Sequence, residues 1–105
     1  MKDFTQQAAE YLEEEVPADV QRFADINVDI AVQVGEYLKE KGWTQKDLAD
    51  ALGKSEAEIS KWLSGMHNLT LKSITKMEVA LGKEIILTIR KAEVKFREVE
   101  LVTNS

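Results

Sequence analysis

The sequence predicts a mainly α fold: a helical extension, then a cluster of short helices, then one or two β-strands. Three observations carry that expectation. Apolar residues recur at intervals of three and four through most of the chain. Three helix starts in its middle are marked by capping residues. After Gly82 the apolar period changes to two.

At 105 residues the chain is long enough for one modest core. A hydrophobic fraction of 44% with 31% charged residues belongs to a folded domain rather than a disordered one. No apolar run approaches the roughly 18 residues of a membrane span. The acidic opening "MKDFTQQAAEYLEEEV" lacks the apolar core of a signal peptide. With no cysteine there is no disulfide framework and no thiolate metal site, and a cytoplasmic location is expected. The net charge of −5 is unevenly placed: residues 1–38 carry net −7, residues 39–83 net +2 and residues 84–105 net zero. The middle of the chain is therefore slightly basic, which matters more for an anionic partner than the average does.

Over residues 4–16, Phe4, Ala8, Tyr11 and Leu12 share one helical face, and Glu10 and the glutamate run at 13–15 lie outside it. That run reads as a solvated face, or else as a dock for a basic partner. Pro17 fits the first turn of the next helix, a short one marked by Val20, Phe23 and Ala24. A longer helix follows through Ile30, Val34, Tyr37 and Leu38, with Lys39 and Lys41 suited to its negative end and Gly42 to its close.

The next three starts are legible from their caps. Thr44 is an N-cap with Asp47 at N3, and Trp43 and Leu48 form a hydrophobic staple. Ser55 and Glu58 make a capping box, in which the Glu58 carboxylate satisfies the Ser55 N–H. Thr70 caps a third helix, stapled by Leu69 and Ile74. Helices near 45–52, 56–63 and 71–81 follow. After Gly82, Ile85, Leu87 and Ile89 alternate with Ile86, Thr88 and Arg90, which reads as a strand. The run "AEVKFREVELV" alternates again and then slips register, so a hairpin and one long bent strand both fit. Either needs a pairing partner, because an isolated hairpin is marginal.

Within "TQKDLADALGKSEAEISKWLSG", Ala49, Gly53 and Ile59 have distinct physical roles. Small Ala49 permits a close crossing, Gly53 can take a positive φ in a tight turn, and Ile59, Trp62 and Leu63 anchor the following helix by one face. Glu56, Ala57, Ser60, Lys61 and Ser64 are then left facing outward. With "TQ" opening one helix, "LSG" closing the next and "LTLKSITKMEVALG" after it, residues 30–83 resemble the five-helix, lambda-repressor-like helix-turn-helix domain of the Cro/C1 (XRE) family of DNA-binding regulators. The expected organisation is an acidic helical extension over 1–27, the helix-turn-helix domain over 28–83, and strands for dimerisation or partner pairing over 84–105.

The resemblance implies that the third helix of the domain lies in the major groove of double-stranded DNA. Carried over residue by residue, Thr44 and Gln45 stand where the second helix meets phosphate. Glu56, Ala57 and Ser60 stand where side chains reach bases, with Ser55 and Ser64 at the ends of that helix and Lys61 near the backbone. His67, Asn68, Thr70 and Lys72 stand where the start of the fourth helix meets the opposite flank. Lys54 departs from the family, which commonly has an apolar residue there; its stem can still cover the core. Glu56 favours the positive end of its own helix dipole and can accept from cytosine N4, so it specifies a cytosine or weakens non-cognate binding, or is simply a solvated residue. Trp43 and Trp62 read as staple and core residues rather than base-stacking ones. The lone His67 has no partner set for a metal or a catalytic base.

No nucleophile–base pairing, phosphate-cradling glycine loop or metal spacing is present in the sequence, so neither an enzyme nor a cofactor is expected. The expected function is a transcriptional regulator, a repressor acting as a homodimer on a palindromic operator, with the C-terminal strands joining the two copies. The alternative is an antitoxin that neutralises a basic toxin protein and controls its own operon. A third reading is a protein-interaction domain that has lost DNA binding.

Overall fold

A computed structural model of the chain describes residue 6 and residues 16–104. Among the described residues the helices are α1 (Ala18–Lys41), α2 (Gln45–Leu52), α3 (Glu56–Trp62), α4 (Leu71–Leu81) and α5 (Ile89–Asn104). The helix expected over 4–16, with its glutamate run, lies outside the described residues apart from Gln6 and Val16. Among the described residues no helix is long and apolar enough to cross a membrane.

Where two helices were expected between residues 20 and 38, α1 is a single helix of 24 residues. Pro17 stands just ahead of it at φ −59°, and its carbonyl accepts from Gln21 N at 3.0 Å. No proline or glycine interrupts residues 18–34, so nothing in the backbone calls for a break. The polar residue in its middle, Asn27, turns inward and is 3% exposed. At the other end, Lys39 and Lys41 sit in the last turn, and the Lys41 ammonium lies 4.7 Å over the Trp43 ring.

Ile30, Val34 and Leu38 form the inward stripe of α1 at intervals of four. They join Leu48 and Ala49 of α2, Ile59 of α3, and Ile74, Met77 and Leu81 of α4 in one core. Val34, Leu48, Ile59 and Met77 are fully buried. Each such side chain contributes about 1.5–3 kcal/mol through the area it removes from water. Trp43, Trp62, Leu63 and Leu69 close the margin, as their staple and anchor roles require.

The C-terminal strands expected from the period-two run are not present among the described residues. The N–H groups of Ile85 and Ile86, which a strand partner would take up, donate to the Glu78 carboxylate at 2.7 and 3.1 Å. The Tyr37 hydroxyl donates to the Glu84 carbonyl at 2.6 Å. Thr88 then begins a helix: its hydroxyl accepts from Lys91 N at 3.2 Å and its carbonyl from Ala92 N at 2.9 Å. Ile89, Ala92, Phe96 and Val99 are spaced three and four apart, a helical period, while Ile85, Leu87 and Ile89 and then Val94 and Phe96 alternate at two, so the sequence pattern alone was ambiguous. Main-chain satisfaction by Glu78 removes the pairing that a strand needs.

A further tether holds α5. Lys95 Nζ donates to Glu84 Oε2 at 2.6 Å. That hydrogen bond, helped by the charges of Lys95 and Lys91 and opposed by desolvation, holds the Glu84 carboxyl below its ordinary value. A depressed carboxyl stabilises the fold at pH above its unfolded value, so the tether persists at neutral pH and is lost as pH falls through the lowered value. Both groups are about half exposed, so its contribution is small.

Glu78→Ala is expected to destabilise the fold by about 1–3 kcal/mol, the cost of unmaking charge-assisted bonds to two N–H groups. Urea denaturation measures the loss, and amide hydrogen exchange locates it. Unchanged exchange at Ile85 and Ile86 would show that the segment is held by something else.

Candidate nucleic-acid interface

Three caps set the ends of the elements that would face DNA. At α2, Thr44 Oγ1 accepts from Asp47 N at 3.2 Å, and Asp47 Oδ2 accepts from Thr44 N at 2.8 Å, closing a complete capping box. At α4, Thr70 Oγ1 accepts from Ser73 N at 3.0 Å. At α3 only half of the expected box forms. Ser55 Oγ accepts from Glu58 N at 3.1 Å, but the Glu58 carboxylate lies 3.9 Å from Lys54 Nζ instead of on the Ser55 N–H. Lys54 supplies a cation one turn back, and that competes with the backbone for the carboxylate.

The turn between α2 and α3 depends on Gly53, which has φ +66°. The residue after it, Lys54, donates its N–H to the Ala49 carbonyl at 2.9 Å, closing α2 while the chain turns away. Ala49 is 1% exposed, small enough for α2 and α3 to cross closely. On the far side of the turn, Ile59 is fully buried and Trp62 and Leu63 are half-buried against the core. One face of α3 is thus fixed, and Glu56, Ala57, Ser60 and Lys61 on the other are exposed.

The remaining expected residues divide by what their side chains already do. Thr44, Ser55 and Thr70 are exposed, but their hydroxyls serve as caps. Ser64 is also committed: its hydroxyl donates to the Lys61 carbonyl at 2.8 Å and accepts from Met66 N at 3.2 Å, finishing α3. Gln45, Asn68 and Lys72 are exposed at or near helix starts. Lys54 is half-buried, its stem against the body and its ammonium toward Glu58. His67 is half-buried, and its carbonyl accepts from Asn27 Nδ2 at 2.6 Å. Sequence reading missed Asn27. Its signal was a polar residue on an apolar stripe, with Phe23 four positions before and Ile30 three after.

A family model described as helix-turn-helix matches residues 34–87, just over half of the chain. The chain belongs to this helix-turn-helix family. It is of the Cro/C1 (XRE) type, a family of DNA-binding transcriptional regulators. The match starts within α1 and ends in the extended segment after α4, so the first two thirds of α1 and all of α5 lie outside it. No curated protein and no solved structure matches the chain.

In this helix-turn-helix protein the two caps of the motif differ in kind. Asp47→Ala, which removes the carboxylate that accepts from the Thr44 N–H, is expected to cost more than Glu58→Ala, whose carboxylate makes no bond to the Ser55 N–H, with single-cap losses of about 1 kcal/mol. Urea denaturation of both variants makes the comparison. Equal losses would show that the Asp47 half of the box adds nothing.

Proposed function

We propose that the protein is a repressor that binds a palindromic operator as a homodimer, with α3 in the major groove. The observation that carries this reading is the one-sided anchoring of α3. Ile59, Trp62 and Leu63 hold it to the core, and Glu56, Ala57, Ser60 and Lys61 are left exposed beyond a helix start that Ser55 caps. In this reading Glu56, Ala57 and Ser60 meet base edges, and Ser55, Lys54 and Lys61 flank them. Thr44 and Gln45 serve one phosphate flank, and Ser64, His67, Asn68, Thr70 and Lys72 the other. The helix starts contribute N–H groups and the positive ends of their dipoles. Few cations are available per copy, so two half-sites supply the affinity. The contact between copies is assigned to α5, where Ile89 is 79% and Phe96 70% exposed.

The antitoxin reading keeps support from two features: the acid concentrated in residues 1–38 and the exposed apolar positions of α5. The acid suits a basic partner, and the apolar positions suit a protein surface. Copurification with a small basic protein encoded beside the gene would favour it.

Fluorescence anisotropy against a selected random-sequence DNA pool, across a salt series, tests the regulator reading. The protein should enrich a palindrome. Lys61→Ala should weaken binding to all sequences and reduce the salt slope by about one. Ser60→Ala should cost about 1 kcal/mol and relax preference at one position. Absence of DNA binding at low salt overturns the reading.

A further inference from the structure

The loop between α3 and α4 carries His67, Asn68 and Thr70, and its register decides where their main-chain groups point. Its first half is fixed locally, through the Ser64 hydroxyl and through Gly65 at φ +79°. Its middle is reached from a distance of 40 residues, by the Asn27 side chain on α1. A carbonyl only accepts, so the amide nitrogen of Asn27 must face the His67 oxygen. That orientation leaves Asn27 Oδ1 buried with no hydrogen-bond partner among the described residues.

Such a residue is a poor choice for stability. Asn27 lines a cleft with the apolar Phe23, Ile26, Ile30, Leu69, Ile74 and Ile86 and with Asn68 of the loop itself, and on the apolar side an aliphatic side chain would bury surface without stranding an oxygen. One residue along, Val28 backs the same loop: a Cβ built on Gly65 would lie 3.5 Å from Val28 Cγ2. Asn27 and Val28 both precede the stretch matched by the helix-turn-helix family model, which begins at residue 34. The first half of α1 therefore braces a loop that belongs to the DNA-binding domain.

We propose that Asn27 is a positioning residue for DNA binding: through its bond to the His67 carbonyl it sets the loop so that the main chain at residues 68–70 presents N–H groups to a phosphate. This rests on the regulator reading, and it adds a contact that acts from outside the recognition helix. A brace of this kind affects affinity for the DNA backbone and leaves base preference to α3.

The test compares the wild-type protein, Asn27→Leu and Asn27→Ser on the selected operator and on scrambled DNA across a salt series, with thermal melting alongside. Asn27→Leu should melt at or above the wild-type temperature yet bind every sequence roughly tenfold more weakly. Its order of preference among operator variants should be unchanged, and its salt slope close to the wild-type value, because a neutral main-chain N–H releases no counterion of its own. Asn27→Ser, whose hydroxyl is too short to span the gap, should lose affinity to a similar degree. A folded Asn27→Leu with wild-type affinity overturns the proposal alone. Wild-type protein that binds no DNA overturns the regulator reading and this proposal with it. If neither variant folds, exchange of the Asn27 side-chain amide protons in the wild-type protein decides: slow exchange supports the clamp, and exchange at the solvent rate overturns it.

Discussion

The burial of Ile59 is the constraint on which the rest of the arrangement depends. A seven-residue helix is too short to persist in water by itself, so α3 exists because one face is taken up by the core. Val34, Leu48 and Met77, one fully buried side chain from each of the other three core helices, close the space around that position. Removing water from four such side chains on four elements makes the helices mutually dependent. The polar face of α3 is held in place by contacts on its opposite side.

That arrangement also explains how an acidic protein can belong to a DNA-binding family. Net charge acts at long range, whereas a contact with a phosphate or a base is governed by what lies within about a Debye length, roughly 8–10 Å. The acid is concentrated in residues 1–38, and residues 39–83 are slightly basic. Helix starts capped by Thr44, Ser55 and Thr70 add partial positive charge that no residue count records.

The C-terminal part follows different physics. Glu78 and Tyr37 on the body capture the main chain at 84–86, and Lys95 returns a charged bond to Glu84. These are polar contacts, so the root of α5 is held while its apolar positions at Ile89 and Phe96 remain exposed. A helix anchored in this way has surface to spare for a protein partner.

Much of the domain was legible from residues alone, because its signals are local. Thr44, Ser55 and Thr70 announce helix starts, Gly53 announces a turn, and intervals of three and four select Ile59, Trp62 and Leu63. Each depends on neighbours within one or two turns, and such information is written in short stretches of chain. Three features were settled by a choice between partners that the residue pattern does not rank, two of them by the tertiary structure. Glu58 turned to Lys54 although the spacing suited a box, Asn27 reached across 40 residues to the His67 carbonyl, and the alternating run after Gly82 became an extended segment and a helix. The physical reason is common to all three. A carboxylate, an amide or a backbone N–H takes the best partner within reach: for Glu58 that is a cation one turn back, and for Asn27 and the N–H groups of Ile85 and Ile86 it is set by how separate elements pack.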